Sequence, residues 1–385
     1  MISDKAAIVG IGATEFSKDS GRSEFRLASE AVTAALNDAG VSASEVDGMC
    51  TMTADNNSEV DIARAIGAGE LSFFSRIPFG GGGACAVVQQ AALAISSGLA
   101  NVVVCYRAMN ERSQYRFGGS LAGAPQTSEG EVMDYHTMHG LSTAAALVAV
   151  MMRRYMQMYG ATRYDFAKVS LATRKHAATN PAAFFYGKPL TLDEYLNSRI
   201  ISDPLHLFDC CQESDGAVAL VVTRSERAKD LRQTPVLVRG AAQGAGRGSI
   251  PLMNFYGEDI VPFDDTRVVS DQLYRMSGLS PSDMDAAIIY DHFGPTILPA
   301  LEASGFCARG EAKDFIKDGN IEIGGGLPLN THGGQIGEAY IHGMNGIAEA
   351  VRQVRGNAVN QIAELSNIMV TSGGGVPTSG LILGI

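Results

Sequence analysis

GVSASEVDGM, from Gly40 to Met49, recurs far downstream as GLSPSDMDAA, from Gly278 to Ala287, with Gly, Ser, Ser and Asp in identical spacing. Each copy follows an amphipathic segment and precedes an apolar, strand-like run. Ser42 with Glu45, and Ser280 with Asp283, have the spacing of a capping box at the start of a short helical turn. Capping explains those residue types, but it does not explain why the order of the flanking segments is shared as well. The chain therefore reads as two copies of one α/β unit.

Further out, each half repeats a glycine-rich turn, a helix and a β-type run. FGGGGACAVVQQAALAISSG (Phe79 to Gly98) leads to NVVVCYR in the first half, and HGGQIGEAYIHGMNGIAEAVRQVRG (His332 to Gly356) leads to NIMVTSGGG in the second. AAIVGIG, GAVALVVT (Gly216 to Thr223), TPVLVRGAA (Thr234 to Ala242) and the terminal GLILGI supply further strands. Strands alternating with helices indicate the α/β class. The charged stretch RAKDLRQTP (Arg227 to Pro235) sets the predicted boundary, giving halves of residues 1–232 and 233–385. Residues from about 110 to 205 read as a helical and loop insertion in the first half.

A formal net charge of −11 argues against nucleic acid or an anionic membrane as partner, because a generally acidic surface repels both. An anionic substrate then needs a local basic pocket. Cys50, Cys85, Cys105, Cys210, Cys211 and Cys307 lack C-x-x-C spacing, which speaks against a zinc site or a disulfide framework and fits a reducing, cytoplasmic setting. The N-terminus has no sustained apolar segment of a signal peptide, and the longest apolar run, Ala144 to Met152, is far short of a membrane span.

Several short motifs carry less than they suggest. VGIGATE offers Gly10 and Gly12 after a strand, but Glu15 stands where a dinucleotide fingerprint needs its third glycine. GGGGAC (Gly80 to Cys85) lacks the Gly-Lys-Ser/Thr ending of a phosphate loop, so its glycines serve close packing or expose N–H groups at a helix start. HTMH (His136, His139) provides two ligands at most, and no Glu in the H-E-x-x-H arrangement, so metal is not expected there. NNS at Asn56 is a glycosylation sequon that a cytoplasmic protein leaves unused.

Taken in order and spacing, RKHAATNP (Arg174 to Pro181), LDEYLNSRIISDPLHLFDCCQESDGAVALVV (Leu192 to Val222), YDHF (Tyr290 to Phe293), NTHGGQIGEAYIHG and TSGGG (Thr371 to Gly375) resemble the thiolase superfamily, most of all its sterol-carrier-protein-type members. The resemblance runs through nearly the whole chain. It implies a five-layered αβαβα thiolase fold of two similar halves, a coenzyme A thioester held under the inserted loop region, and a homodimer through the first halves.

Thiolases work through a nucleophilic cysteine, a histidine in a Gly-His-Pro turn and a second cysteine before a Gly-Gly-Gly run. By the resemblance those positions fall near Gly81, on Tyr340 and on Thr371, so all three catalytic groups are replaced. Where thiolases supply a polar side chain to the thioester oxygen site, YDHF places Tyr290. A cysteine-free site with paired tyrosines resembles the thiolase-like aldolases of bacterial steroid side-chain degradation. These cleave a β-hydroxyacyl-CoA bearing a tertiary hydroxyl to a ketosteroid and a shorter acyl-CoA such as propionyl-CoA, in complex with a small OB-fold and zinc-ribbon protein linked to the preceding hydratase.

Retro-aldol chemistry needs a base for the hydroxyl, stabilisation of the enolate and an acid to protonate it, with no covalent acyl-enzyme and no cofactor beyond the coenzyme A of the substrate. Tyr340 is assigned the hydroxyl proton and Tyr290 the enolate, a split that is reversible at this stage. A tyrosine base near neutrality needs help, because its ordinary pKa is about 10. His292 and His342 are candidates for that help, with His332 a weaker one at a turn position. N–H groups of Gly81, Gly82, Gly83, Gly373 and Gly374 are candidates to hold the thioester oxygen. Phe117, Tyr135, Phe184, Phe185 and Tyr186 are candidates to line an apolar sterol-sized cavity. Two other readings remain open: a non-catalytic acyl-CoA or sterol-binding protein, and an acyltransferase in which Cys85, with its pKa lowered near a helix N-terminus, is the nucleophile.

Overall fold

The recurring ten residues perform the same task twice. Helix α1 (Glu24–Ala39) stops at Gly40, whose φ of 70° is the left-handed end that glycine accepts without strain. Ser42 and Glu45 then cap a single turn reciprocally, and Asp47 accepts hydrogen bonds from the N–H groups of Asn101 (2.9 Å) and Val102 (2.8 Å). That ties strand β2 (Gly48–Met52) to its parallel neighbour β4 (Val102–Asn110). In the second copy Gly278 has φ 73°, Ser280 and Asp283 form the box, and Asp285 accepts from the N–H groups of Ser366 (2.7 Å) and Asn367 (2.9 Å). Strand β9 (Ala286–Ile288) is thereby joined to parallel β10 (Asn367–Ser372).

The computed structural model describes residues 2–78, 80–114, 116, 134–251, 257–375 and 378–385. Phe117, named above as a cavity residue, lies outside them. With β1 (Ala6–Ala13), β3 (Phe73–Ile77), β7 (Asp215–Arg224), β8 (Val236–Gly244) and β11 (Thr378–Gly384), the strand order is β3-β2-β4-β7-β1-β8-β11-β10-β9. The run β2-β4-β7-β1 is echoed from the other edge by β9-β10-β11-β8, and the two meet where β1 pairs antiparallel with β8 at Ala7–Leu237 and Ile8–Val236. A separate hairpin, β5 (Ile200–Ser202) with β6 (Leu205–His206), belongs to the inserted region.

Strand side chains alternate between faces, so one strand serves two cores. Val102, Val104 and Tyr106 of β4 pack outward with Leu27, Ala31 and Val32 of α1. Val103 and Cys105 pack inward on helix α3 (Ala84–Ser97), with α2 (Glu59–Ile66) on the outer side. In the second half, Ile368 and Val370 of β10 face the same inner layer, where α8 (Met344–Arg355) lies. Met369 faces an outer core built with α4 (Ala144–Tyr159), α5 (Arg163–Thr179), α6 (Phe263–Ser277) and α7 (Ile297–Ala303). Helix, sheet, helix, sheet, helix is the resulting order. Strands buried on both faces explain why the sequence shows runs such as AVALVV rather than strict alternation.

Candidate active site

The paired glycines do not open the long helix of the second half, contrary to expectation. They form a one-turn helix, Gly334–Gly337, and α8 begins only at Met344. The cause is close approach: a Cβ on Gly333 would lie 2.6 Å from the Ala177 Cβ of α5, and one on Gly334 would lie 2.0 Å from Asp291 Oδ2. Asp291 Oδ1 caps the turn by accepting the Gln335 N–H at 2.8 Å. The chain then leaves the helical path. Tyr340 donates its N–H to Gln212 O (3.1 Å) and to Ser214 Oγ (3.4 Å), and His342 (φ 50°) and Gly343 (φ 84°) swing the backbone into α8. Tyr340 is thus presented on an irregular loop rather than on a helix.

Tyr290 lies just past β9. Asn330 splints the strand end there, its Oδ1 accepting from Ile289 N–H (2.8 Å) and its Nδ2 donating to Ile289 O (2.9 Å). Thr371, where the resemblance puts the second thiolase cysteine, accepts the Tyr290 N–H on Oγ1 at 3.3 Å. The two hydroxyls meet: Tyr290 Oη lies 3.0 Å from Tyr340 Oη, with the rings tilted at 61°.

At Gly81, where the resemblance puts the thiolase nucleophile, an added Cβ would lie 1.5 Å from Tyr290 Oη. The tyrosine hydroxyl therefore occupies the volume in which a cysteine side chain would begin. Gly80 gives the same freedom to His342, whose Cε1 would lie 2.5 Å from an added Cβ, and Gly343 gives it to the Tyr290 ring at 3.1 Å. His292 stacks beside Tyr290 with centroids 5.0 Å apart, and His342 stands edge-on to Tyr340 at 5.1 Å. The structure thus brings Tyr290, Tyr340, His292, His342, Gly81 and Gly374 together; Gly374 would place a Cβ 3.4 Å from His292.

Burial dominates the electrostatics. It holds both tyrosines well above their ordinary pKa, so both are neutral phenols near neutrality. It pushes His292 down to about 4 and holds His342 well below the ordinary range, the latter with help from Arg107. The histidines are therefore not the cations that a tyrosine base was expected to need. Arg107 Nε donates to His342 Nδ1 at 3.1 Å and Nη1 pairs with Asp55 Oδ2 at 3.1 Å. Because arginine offers donors only, His342 Nδ1 must be the acceptor and the ring proton sits on Nε2.

Cys85 is poorly placed for a nucleophile. It is fully buried against Ser372 Oγ (3.2 Å), and burial raises its thiol to about 12 instead of the lowering expected from a helix N-terminus. Other assignments shift as well. The Gly83 N–H bonds to Gly80 O at 2.9 Å, which leaves Gly81 and Gly82 as the donors of that turn not consumed within it. His332 lies apart, in a buried network in which Glu338 accepts from Asn180 (3.0 Å) and Asn345 (2.8 Å), and burial drives the His332 pKa to about 3.

Phe184 and Phe185 hydrogen-bond through their N–H groups to Glu338 O and Gly337 O, and they stack under Lys18 and Arg174. Tyr135 and Tyr186 are exposed. A narrow apolar cleft that reaches Gly374 is lined instead by Met151, Met152, Val261, Pro262, Thr296 and Ala300.

Three residues of the site were not foreseen. Cys211 and Glu111 act electrostatically on the tyrosine pair, and Arg107 acts on His342. No short motif marks them, although Arg107 and Glu111 sit at the C-terminal end of β4, where α/β folds build their sites. Among the described residues, no three His, Cys, Asp or Glu side chains converge as metal ligands, and no helix is long and apolar enough to cross a membrane.

Comparison with known proteins follows the same lines. The family model "Thiolase C-terminal domain-like" matches residues 253–383. A steroid side-chain-cleaving aldolase from Thermomonospora curvata is 60% identical over 98% of this chain and 97% of its own. A 17-hydroxy-3-oxo-4-pregnene-20-carboxyl-CoA lyase from Mycobacterium tuberculosis is 57% identical over 100% of both chains. A solved Ltp2-ChsH2(DUF35) aldolase superposes with a TM-score of 0.95 at 58% identity, covering 100% of this chain and 98% of that one.

Proposed function

The chain belongs to the thiolase superfamily, in the family of the steroid side-chain-cleaving aldolases, and on that footing we propose how its residues perform the reaction. The enzyme is a retro-aldol carbon–carbon lyase acting on a steroid side-chain β-hydroxyacyl-CoA, without thiolysis. The finer substrate is a 17-hydroxy steroid acyl-CoA, cleaved to a 17-ketosteroid and a short acyl-CoA such as propionyl-CoA.

Two neutral phenols in hydrogen-bond contact suit this chemistry. Each is a donor to a developing oxyanion in a buried site, where a well-placed donor is worth about 2.7–4 kcal/mol. Tyr340 takes the tertiary hydroxyl proton in step with passing on its own, and Tyr290 holds the enolate and delivers a proton to its α-carbon. His292 and His342 pack the two rings in place as neutral groups. N–H groups of Gly81, Gly82, Gly373 and Gly374 hold the thioester oxygen. Proton transfers and enolate stabilisation complete the cleavage, so coenzyme A enters only as part of the substrate and no cofactor is assigned.

The observation that carries this reading is the Tyr290 hydroxyl lying over Gly81 in contact with Tyr340. Tyr290→Phe and Tyr340→Phe each keep the ring and are expected to lower kcat by about 100-fold or more. Near-normal cleavage by both variants would remove the tyrosines from the mechanism.

The working assembly is a homodimer in complex with a small OB-fold, zinc-ribbon protein, in a cytoplasmic setting. The partner is supported by the DUF35 component in the name of the solved relative. The dimer is supported by β3, which stands at the sheet edge with Phe74 59% exposed, a surface suited to further strand pairing.

A further inference from the structure

The reaction above needs a group to hold the proton that Tyr340 gives up until Tyr290 has protonated the enolate. Both phenols stay protonated and both neighbouring histidines are neutral. Two buried carboxyl groups within electrostatic reach of the tyrosines keep an oxygen without a partner, Asp291 and Glu111. Asp291 is committed to the glycine turn, with Oδ1 capping Gln335 and Oδ2 lying against Gly334. Glu111 has no such duty for its Oε2.

Glu111 stands immediately past β4 and is 2% exposed. The β4–β7 register, with Asn110 opposite Asp215, sets Glu111 beside Ser214, whose hydroxyl accepts the Tyr340 N–H at 3.4 Å. Carboxyl, Ser214 and Tyr340 are therefore consecutive neighbours. Glu111 also borders a cavity of about 230 Å³ that it shares with Glu24, Thr53, Asn56, Arg107 and Met109. At roughly 30 Å³ each, several waters fit there.

We propose that Glu111 is the proton-relay residue behind the tyrosine pair, positioned to accept the proton that Tyr340 gives up and to return it after the carbon–carbon bond has broken. The proposal rests on the aldolase reading. The substrate O–H breaks, its proton moves to Tyr340 Oη, and the proton of Tyr340 passes to a Glu111 oxygen, directly or through a water of the cavity. The alkoxide electron pair becomes the ketone C=O, and the pair of the broken C–C bond leaves on the thioester fragment as its enolate. Tyr290 protonates the enolate carbon, Tyr340 reprotonates Tyr290 across their 3.0 Å contact, and Glu111 reprotonates Tyr340. Protons and electrons balance, and the enzyme returns to its starting state.

The surroundings set the pH range. Burial pushes the Glu111 carboxyl up to about 8; Glu213 adds to this, while the Ser214 N–H, Arg107 and Lys18 oppose it. Tyr290, Tyr340, Cys211 and Arg116 also sense its charge. The carboxylate is the accepting form, so kcat rises with pH through this pKa and levels off above it.

The test uses the chain with its partner protein and a steroid acyl-CoA bearing a tertiary β-hydroxyl, following ketone release across the pH range for wild type, Glu111→Gln and Glu111→Asp. Wild type is expected to show the rising limb. Glu111→Gln is expected to lose about 100-fold or more in kcat, with KM little changed and the rising limb gone. Glu111→Asp retains a carboxyl and is expected to retain a limb at lower kcat. A Glu111→Gln enzyme with wild-type kcat and the wild-type limb overturns the relay and leaves the aldolase reading intact. If Glu111→Gln does not fold, a flat pH profile for Glu111→Asp overturns the relay. Absence of cleavage by the wild-type complex overturns both.

Discussion

A methyl group at Gly81 would sit 1.5 Å from the Tyr290 hydroxyl oxygen and 2.3 Å from its ring carbon, so a cysteine at 81 and a tyrosine at 290 exclude each other. If Gly81 stands at the nucleophile position, as the resemblance implies, loss of that cysteine and gain of the tyrosine are one change seen at two positions. Gly81→Ala is accordingly expected to displace the Tyr290 hydroxyl from Tyr340 and lower kcat by about 100-fold or more, with the fold intact by circular dichroism. Wild-type turnover in that variant would show that the Tyr290–Tyr340 contact is dispensable. At this scale the sequence reveals the two tyrosines, because motif spacing places each where a thiolase carries a polar group. It does not reveal the rise in their pKa or the neutral state of His292 and His342, since burial by distant segments sets those values. Nor does it reveal Glu111 or Arg107, which reach the site only through the pairing of β4 with β7 and the docking of the Tyr340 loop against residues 212–214.

At the scale of elements, the recurring Gly-x-Ser-x-Ser motif and its terminal Asp are legible because the task is local. A helix end, a capped turn and a carboxylate over the next parallel strand all follow from residues close in sequence or in the adjacent strand. Asp285→Ala leaves two strand-end N–H groups without their carboxylate and is expected to cost about 1.5–3 kcal/mol, read as a lower midpoint in urea unfolding with an unchanged slope. A midpoint equal to wild type would show that water replaces the carboxylate without cost. The glycine pair at Gly333–Gly334 was misleading for the opposite reason. Its conformation answers to Ala177 of α5 and to Asp291, contacts that no local pattern encodes, so the helix expected to begin there begins at Met344.

For the whole molecule, duplication explains both the fold and the place of the reaction. Two similar halves meet at the β1–β8 seam, each sends a helix into the shared inner layer, and the residues of the site come from the loops at those elements: Gly81 before α3, Tyr290 after β9, Tyr340 before α8 and Thr371 in β10. On the proposed reading a thioester site inherited in this way keeps its glycine turns without a covalent step. The reaction is then cleavage without thiolysis. The direct measurement is to incubate the chain, together with the proposed OB-fold, zinc-ribbon partner, with a 17-hydroxy steroid acyl-CoA, with and without free coenzyme A, and to quantify both products. The expected result is equal amounts of ketosteroid and short acyl-CoA at a rate independent of added coenzyme A. Cleavage that depends on free coenzyme A, or binding with no product, would contradict it.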